Sequence, residues 1–245
     1  MKELQMNMIE QFSEIYDEWL TYYTKQKTTE LPASLFTIAH EMKNPLSLMK
    51  ATLQLMEQDC PLSFSPKIKL LLREVDRMNQ LLNDLLHLKK VETCVFKPVD
   101  IGSLLEEMQL LFRGIAEKKK VRLSVYSHKK IPFVYGDEER LKQMFINLIK
   151  NALEANEEGG KVILSARFKK PNQIEIRIQD TGVGLCEAQQ GELFRPFYTT
   201  KKEGTGLGLA IVQKILSLHH ATITVKSRPQ KGCTFIIHFP IHHNT

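Results

Sequence analysis

Two apolar heptad repeats occupy the first third of the chain. The first repeat comprises Leu35, Ala39, Met42, Leu46, Met49, Leu53 and Met56, and the second comprises Ile68, Leu71, Val75, Met78, Leu82 and Leu85. Alternating spacings of four and three residues place such side chains along one face of a helix, so residues 31–93 are predicted to form a helical hairpin. A lone hairpin buries too little apolar surface to be stable, and we expect two copies to form a four-helix bundle in a homodimer.

The pattern changes after residue 94, where a second domain is predicted over residues 95–241. Helices are expected at 100–117, from 137 onward and at about 205–219, and strands at 121–126, 162–168, 174–178, 222–226 and 234–239. Because no regular strand–helix–strand repeat is present, the expected fold is a mixed sheet with helices on one face, an α/β sandwich. Residues 1–30 are predicted to hold a short amphipathic helix with an aromatic stripe, followed by a linker.

Composition excludes several classes of function. The net charge is +6, but the lysines are dispersed and no arginine-rich run is interleaved with aromatic residues, which is atypical of a nucleic-acid-binding chain. The four cysteines are far apart and form no CxxC pair, which favours reduced thiols in a cytoplasmic protein. No stretch approaches the roughly 20 apolar residues of a membrane span. The chain begins with Met1, which favours a naturally short protein over a fragment of a longer one.

Two asparagines stand out in the helix that is predicted to begin at Asp137. Asn147 and Asn151 are one helical turn apart, so their amides leave the same face of the helix. Such a pair can be solvated, or it can make a buried hydrogen bond. It can also supply a neutral oxygen to Mg²⁺, which binds a few protein oxygens together with nucleotide phosphates and water.

Two glycine runs follow this helix. Asp180-Thr-Gly-Val-Gly184 ends a predicted strand, and Gly204-Thr-Gly-Leu-Gly-Leu209 leads into a predicted helix, whose N-terminal amides suit phosphate. Either run alone could be a turn. The second lacks the Gly-Lys-Ser/Thr of a P-loop, and neither lies in the βαβ unit of a dinucleotide-binding fold.

Taken in order, these segments resemble the sequence boxes of the sensor histidine kinases. The segments 147–152, 180–184, 193–201 and 204–209 are similar to the N, G1, F and G2 boxes, and 232–235 is similar to the last nucleotide-side motif. The resemblance implies a GHKL (Bergerat-type) domain that binds ATP and Mg²⁺. It implies that Asn151 ligates Mg²⁺, that Asn147 supports the phosphates and that Asp180 accepts a hydrogen bond from adenine. The other residues it assigns to the pocket and its lid are Gly182, Gly184, Lys201, Gly204, Thr205, Gly206, Leu207, Gly208 and Thr234, of which Lys201 could equally face solvent.

The first helix of the hairpin resembles the phosphoacceptor box of the same family. In His40-Glu-Met-Lys-Asn44-Pro45, the resemblance implies that His40 accepts phosphate, that Glu41 holds its second proton and that Asn44 positions a water. Pro45 removes a backbone donor and is expected to bend the helix. The implied partner is a response regulator receiver domain, and residues 40–56 are similar to kinases of the sporulation phosphorelay of bacilli. A phosphotransfer or scaffold protein with little kinase activity, and another ATPase of the same fold, are the alternatives.

Overall fold

The computed structural model describes residues 33–59, 65–90, 95–127, 131–169, 172–201 and 204–241, with side chains in the first two ranges only at 39, 42–56 and 68–86. The chain divides into two units, residues 1–37 and 38–245. The predicted aromatic helix within residues 1–30 lies outside the described residues. In the part of the chain that is described, no helix is both long and apolar enough to cross a membrane.

Two long helices form the predicted hairpin: α1 (Ala33–Asp59) and α2 (Ser65–Lys90). Side chains from both heptad repeats meet in one apolar cluster. Its buried members are Ala39, Leu46, Val75 and Leu82, packed against Met42, Met49, Leu53, Leu85 and Leu86. Lys50 Nζ lies 2.7 Å from Asp76 Oδ1, so these two residues face each other across the hairpin. Most of the heptad positions whose side chains are described therefore lie in this cluster as predicted, whereas Met56, Leu71 and Met78 remain about half exposed. The helix α1 continues through Pro45.

The remaining elements build a separate α/β layer. They are β1 (Lys97–Val99), α3 (Ile101–Lys118), β2 (Arg122–Ser127), β3 (Val134–Gly136), α4 (Glu138–Ala155), β4 (Lys161–Lys169), β5 (Gln173–Asp180), α5 (Glu187–Glu192), α6 (Gly208–Leu218), β6 (Thr222–Ser227) and β7 (Cys233–Pro240). The strands form a five-stranded sheet in the order β2-β4-β5-β7-β6, and β1 pairs with β3 in a small second sheet. Only β2 and β4 run parallel within the five-stranded sheet, which is therefore mixed as expected.

Helix α4 and strand β5 form the centre of this layer. Asp137 caps α4 by accepting a hydrogen bond from Arg140 N, as the sequence predicts. The helix buries an apolar face that includes Leu141, Phe145 and Leu148, against the buried isoleucines of β5. Each such side chain contributes about 1.5–3 kcal/mol by leaving water. This packing holds the end of β5 beside the polar edge of α4.

The predicted helix at 205–219 begins three residues late, at Gly208. Gly206 adopts φ = +69°, which is incompatible with a right-handed helix, so the glycine run remains a loop up to Leu207. Leu207 is fully buried and anchors that loop in the core.

Candidate nucleotide and phosphotransfer site

Asp180 is the last residue of β5, and its carboxylate is almost entirely buried. Oδ1 accepts hydrogen bonds from the backbone N–H of Gly182 at 2.8 Å and of Cys233 at 3.2 Å. Among the described residues, no donor contacts Oδ2. A carboxylate that is held by one oxygen and has the other free is suited to accept a hydrogen bond from a ligand amino group.

Burial raises the pKa of Asp180, while the two N–H donors and the charge of Lys201 oppose that change. The two N–H groups and Lys201 thus stabilise the ionised carboxylate, although it is almost completely shielded from water. The carboxylate can therefore accept a hydrogen bond that is stronger than one made to a neutral acceptor.

Glycines of both runs bring backbone segments closer together than other residues allow. Gly184 has φ = +66°, and a Cβ there would overlap the carbonyl oxygen of Arg228. A Cβ on Gly206 would overlap the backbone of Phe197. Both glycine runs thus lie against neighbouring backbone, in left-handed conformations that glycine adopts without steric cost.

The side chain of Thr234, which the resemblance assigned to the pocket, lies on the opposite face of the sheet from the side chain of Asp180. In the antiparallel pairing of β5 with β7, Thr234 lies opposite Gln179, and successive side chains of a strand point to opposite faces. Its neighbour Cys233 lies on the Asp180 side, buried. Burial and the nearby Asp180 carboxylate raise the pKa of the Cys233 thiol to about 12, so that the thiol stays neutral.

The two asparagines of α4 face the glycine-rich loop and the residues before it. Asn147 Nδ2 donates to the carbonyl oxygen of Gly208 at 3.2 Å, which ties α4 to the first residue of α6. Asn151 Oδ1 accepts a hydrogen bond from Lys201 Nζ at 2.9 Å. Lys201 Nζ also lies 2.5 Å from Glu154 Oε2. Sequence reasoning missed Glu154, although its spacing of three from Asn151 and seven from Asn147 places it on the same face of the helix.

The amide oxygen of Asn151 fits a small divalent cation. It already accepts a hydrogen bond from one cationic group, the ammonium of Lys201, which Glu154 also contacts. Amide and carboxylate oxygens are the ligand types that Mg²⁺ accepts, with phosphates and water completing its coordination.

The glycine-rich loop also contacts the helical hairpin. Thr205 Oγ1 donates to Asp84 Oδ2 of α2 at 2.7 Å. On α2, Asp84 lies eight residues beyond Asp76, which contacts Lys50 of α1. Because the two helices of the hairpin are antiparallel, Asp84 lies in the half of the hairpin that also holds His40. Nothing in the sequence indicated Asp84.

His40 and Glu41 lie in α1, with side chains outside the described residues. Asn44 follows one turn later, and its side chain is exposed. The proposed acceptor segment and the nucleotide-side residues thus belong to different elements, which meet through the loop that carries Thr205.

Comparison with known protein families matches both parts of the chain. Residues 35–94 match the His Kinase A (phospho-acceptor) domain, and residues 136–243 match the family described as histidine kinase-, DNA gyrase B-, and HSP90-like ATPase. The chain belongs to the histidine kinases. Its second part is therefore an ATP-binding domain of that family.

Curated relatives of this histidine kinase include sporulation and sensor kinases. It is 36% identical to sporulation kinase B of Bacillus subtilis over 215 residues, which cover 86% of this chain and 49% of the relative. It is 31% identical to the sensor histidine kinase ZraS of Escherichia coli over 220 residues, which cover 89% of this chain and 47% of the relative. It is 30% identical to sporulation kinase E of Bacillus subtilis over 84% of this chain and 28% of the relative. The chain thus spans about half or less of the length of these relatives.

Solved structures resemble this histidine kinase over both parts. Full-length ShkA in complex with AMPPNP superposes with a TM-score of 0.73 at 26% identity, covering 86% of this chain and 46% of that chain. The histidine kinase ThkA in complex with the response regulator TrrA gives 0.65 at 25% identity, covering 84% and 60%. A mixed sheet with helices, preceded by a helical hairpin, is therefore the fold of this family.

Proposed function

We propose that this histidine kinase transfers the γ-phosphoryl group of ATP to His40 and then passes it to an aspartate of a response regulator receiver domain. The observation that carries the proposal is the hydrogen bond between Thr205 and Asp84. This contact joins the glycine-rich loop of the ATP-binding domain to the half of the hairpin that holds His40. A donor site and an acceptor must meet in this way for transfer within one protein.

In this proposal, different residues bind the base and the phosphates of the nucleotide. Oδ2 of Asp180 accepts a hydrogen bond from the adenine amino group, and the close-packed glycines Gly182 and Gly184 shape the base pocket. The loop from Gly204 to Gly208 and the N-terminus of α6 face the phosphates, where free backbone N–H groups favour anions.

Asn151 holds Mg²⁺ through its amide oxygen, and Asn147 supports the phosphate end by holding Gly208 in place. When bound, Mg²⁺ offsets the negative charge of the phosphates. Lys201, whose side chain reaches the same oxygens, is the nearest candidate for a direct contact with phosphate.

His40 acts as the nucleophile through an unprotonated ring nitrogen. A nitrogen–phosphorus bond forms while the bond between phosphorus and the bridging β–γ oxygen breaks, and ADP leaves. Glu41 accepts or orients the proton on the second ring nitrogen and so raises the basicity of the first. Asn44, one turn away, positions water for removal of phosphate from the partner.

Exposed apolar residues of the hairpin support a homodimer. The heptad positions Leu71 and Met78 are about half exposed in the single chain, as is Met56. Leu48 and Leu55, seven residues apart on α1, are more exposed still. A second hairpin that packs against these side chains would complete a four-helix bundle and remove the apolar surface from water.

The partner proposal draws on the relatives. ThkA forms a complex with the response regulator TrrA, and two relatives are sporulation kinases, which supports a receiver-domain partner and a role in a sporulation phosphorelay. We further propose that the chain works in the cytoplasm, with residues 31–93 as the dimerisation and acceptor domain, residues 95–241 as the catalytic domain, and residues 1–30 as a separate helix and linker.

Autophosphorylation with radiolabelled ATP and Mg²⁺ tests the proposal. The wild type should acquire an acid-labile, base-stable label, and His40→Gln should abolish it while nucleotide binding persists. His87→Gln, on the second helix of the hairpin, is the matched control and should keep the label. A label retained in His40→Gln would contradict the acceptor assignment. Nucleotide binding without any label in the wild type would instead favour a scaffold or phosphotransfer protein.

A further inference from the structure

Lys201 occupies the metal side of the nucleotide site through two hydrogen bonds from one ammonium. Its Nζ lies 2.9 Å from Asn151 Oδ1 and 2.5 Å from Glu154 Oε2. The side chains of Lys201 and Glu154 are 37% and 34% exposed, so water screens the ion pair only in part. The residue proposed to ligate Mg²⁺ therefore already holds a cation that belongs to the protein.

Lys201 and Mg²⁺ would compete for the amide oxygen of Asn151. Mg²⁺ binds its ligands at about 2.0–2.1 Å and demands near-ideal octahedral geometry. An ammonium that stayed at 2.9 Å from the same oxygen would lie within a few ångströms of the metal, and the two positive charges would repel each other strongly in a partly buried site. The ammonium of Lys201 therefore opposes the binding of Mg²⁺ at Asn151 for as long as it stays there.

We propose that Lys201 and Mg²⁺ exchange at Asn151, and that Glu154 is the positioning residue that holds Lys201 there and so sets the metal concentration at which the exchange occurs. This inference rests on the proposed function. It assigns a role to Glu154, and it makes Lys201 a built-in competitor for the metal position as well as a phosphate contact.

The backbone around Lys201 connects the exchange to the glycine-rich loop. Lys201 N donates to Thr199 Oγ1 at 3.1 Å, and the Lys201 carbonyl oxygen accepts from Gly204 N at 3.3 Å. Gly204 is followed directly by Thr205, which binds Asp84. Displacement of Lys201 would therefore act on the segment that joins the nucleotide site to the hairpin.

The test is a double-mutant cycle over Glu154 and Lys201. Binding of a fluorescent ADP analogue to the full chain is followed by anisotropy while Mg²⁺ is titrated, and the half-maximal Mg²⁺ concentration is recorded. Glu154→Gln keeps the size of the side chain but removes the charge that retains Lys201. Since a partly exposed ion pair is lost, the half-maximal concentration should fall about two- to fivefold. Lys201→Met should lower it as well.

In the Lys201→Met background, Glu154→Gln should cause no further decrease, because the competitor is already gone. Glu106→Gln, an acidic residue of α3, is the matched control and should leave the wild-type value unchanged. An equal decrease in both backgrounds would overturn the inference, as would an increase in both, which would make Glu154 a direct attractor of the metal.

Asn151→Ala separates this inference from the proposed function. Mg²⁺-dependent binding should disappear in that variant. A wild type whose nucleotide binding ignores Mg²⁺ would contradict the proposed function itself. Normal Mg²⁺ dependence without coupling between Glu154 and Lys201 would contradict only the exchange.

Discussion

Asp180 offers a way to separate folding from nucleotide recognition, because its two carboxylate oxygens have different roles. Oδ1 accepts from Gly182 N and Cys233 N inside the protein, and Oδ2 is proposed to accept from adenine. Asp180→Ala removes both oxygens and leaves two buried N–H donors without an acceptor. At about 1–3 kcal/mol for each donor, the free energy of unfolding should fall by about 2–6 kcal/mol.

Asp180→Asn is expected to behave differently. Its amide oxygen can keep both internal hydrogen bonds, so the free energy of unfolding should stay within about 1 kcal/mol of the wild type. Its amide nitrogen would then face the adenine amino group, donor against donor. Loss of a charged hydrogen bond of about 1.5–3 kcal/mol should weaken ATP binding about 10- to 160-fold.

Urea denaturation followed by circular dichroism gives the stabilities, and calorimetry gives the affinities for ATP and for inosine triphosphate. The latter carries an oxygen in place of the amino group, so the wild type should prefer ATP and Asp180→Asn should lose that preference. Equal ATP affinity in the wild type and Asp180→Asn would refute the assignment of Oδ2. Equal destabilisation by both substitutions would refute the role of Oδ1.

Two further outcomes follow from contacts outside the pocket. Asp84→Ala should lower the autophosphorylation rate about fivefold, the equivalent of a hydrogen bond of about 1 kcal/mol, with nucleotide affinity unchanged. Glu74→Ala is the control, because Glu74 is exposed on the same helix and, within the described part of the chain, pairs only with Arg77 of that helix. An unchanged or higher rate in Asp84→Ala would contradict a productive contact. Burial lowers the pKa of His219, whose Nε2 accepts from Asp137 N at 2.9 Å. Because the unfolded state then binds the proton more readily, stability should fall as the pH drops below about 6.5, by at most about 1.4 kcal/mol per pH unit. In urea denaturation, His219→Gln should reduce the dependence of stability on pH. An unaltered dependence would contradict the assignment of this effect to His219. His220→Asn is the control, since Asn tolerates the φ of +50° at that position.

Local patterns predicted most of the secondary structure correctly. The heptad spacing identified the buried faces of α1 and α2, because a helix repeats its faces every three to four residues whatever it packs against. Asp137 was identified as the cap of α4 for an equally local reason, since a capping side chain binds an N–H only three residues away.

The sequence patterns did not predict the short strands. Strands β1 and β3 have three residues each, too few for an alternating pattern to emerge, and they form only because they pair with each other. The start of α6 was misplaced because the left-handed conformation of Gly206 depends on the backbone of Phe197 beside it.

The sequence by itself determined the chemical inventory of this histidine kinase: an asparagine pair on one helical face, an aspartate before a glycine run, and a histidine in an apolar heptad. These depend on spacing along one element. The tertiary structure alone decided which groups meet across elements. The register of β5 and β7 places Cys233, and not Thr234, on the side of Asp180. Lys201 contacts Asn151 and Glu154. The glycine-rich loop contacts the hairpin at Asp84. Such contacts join residues about 50 to 120 positions apart, and no local periodicity encodes them, because they arise only when the separate apolar faces pack together.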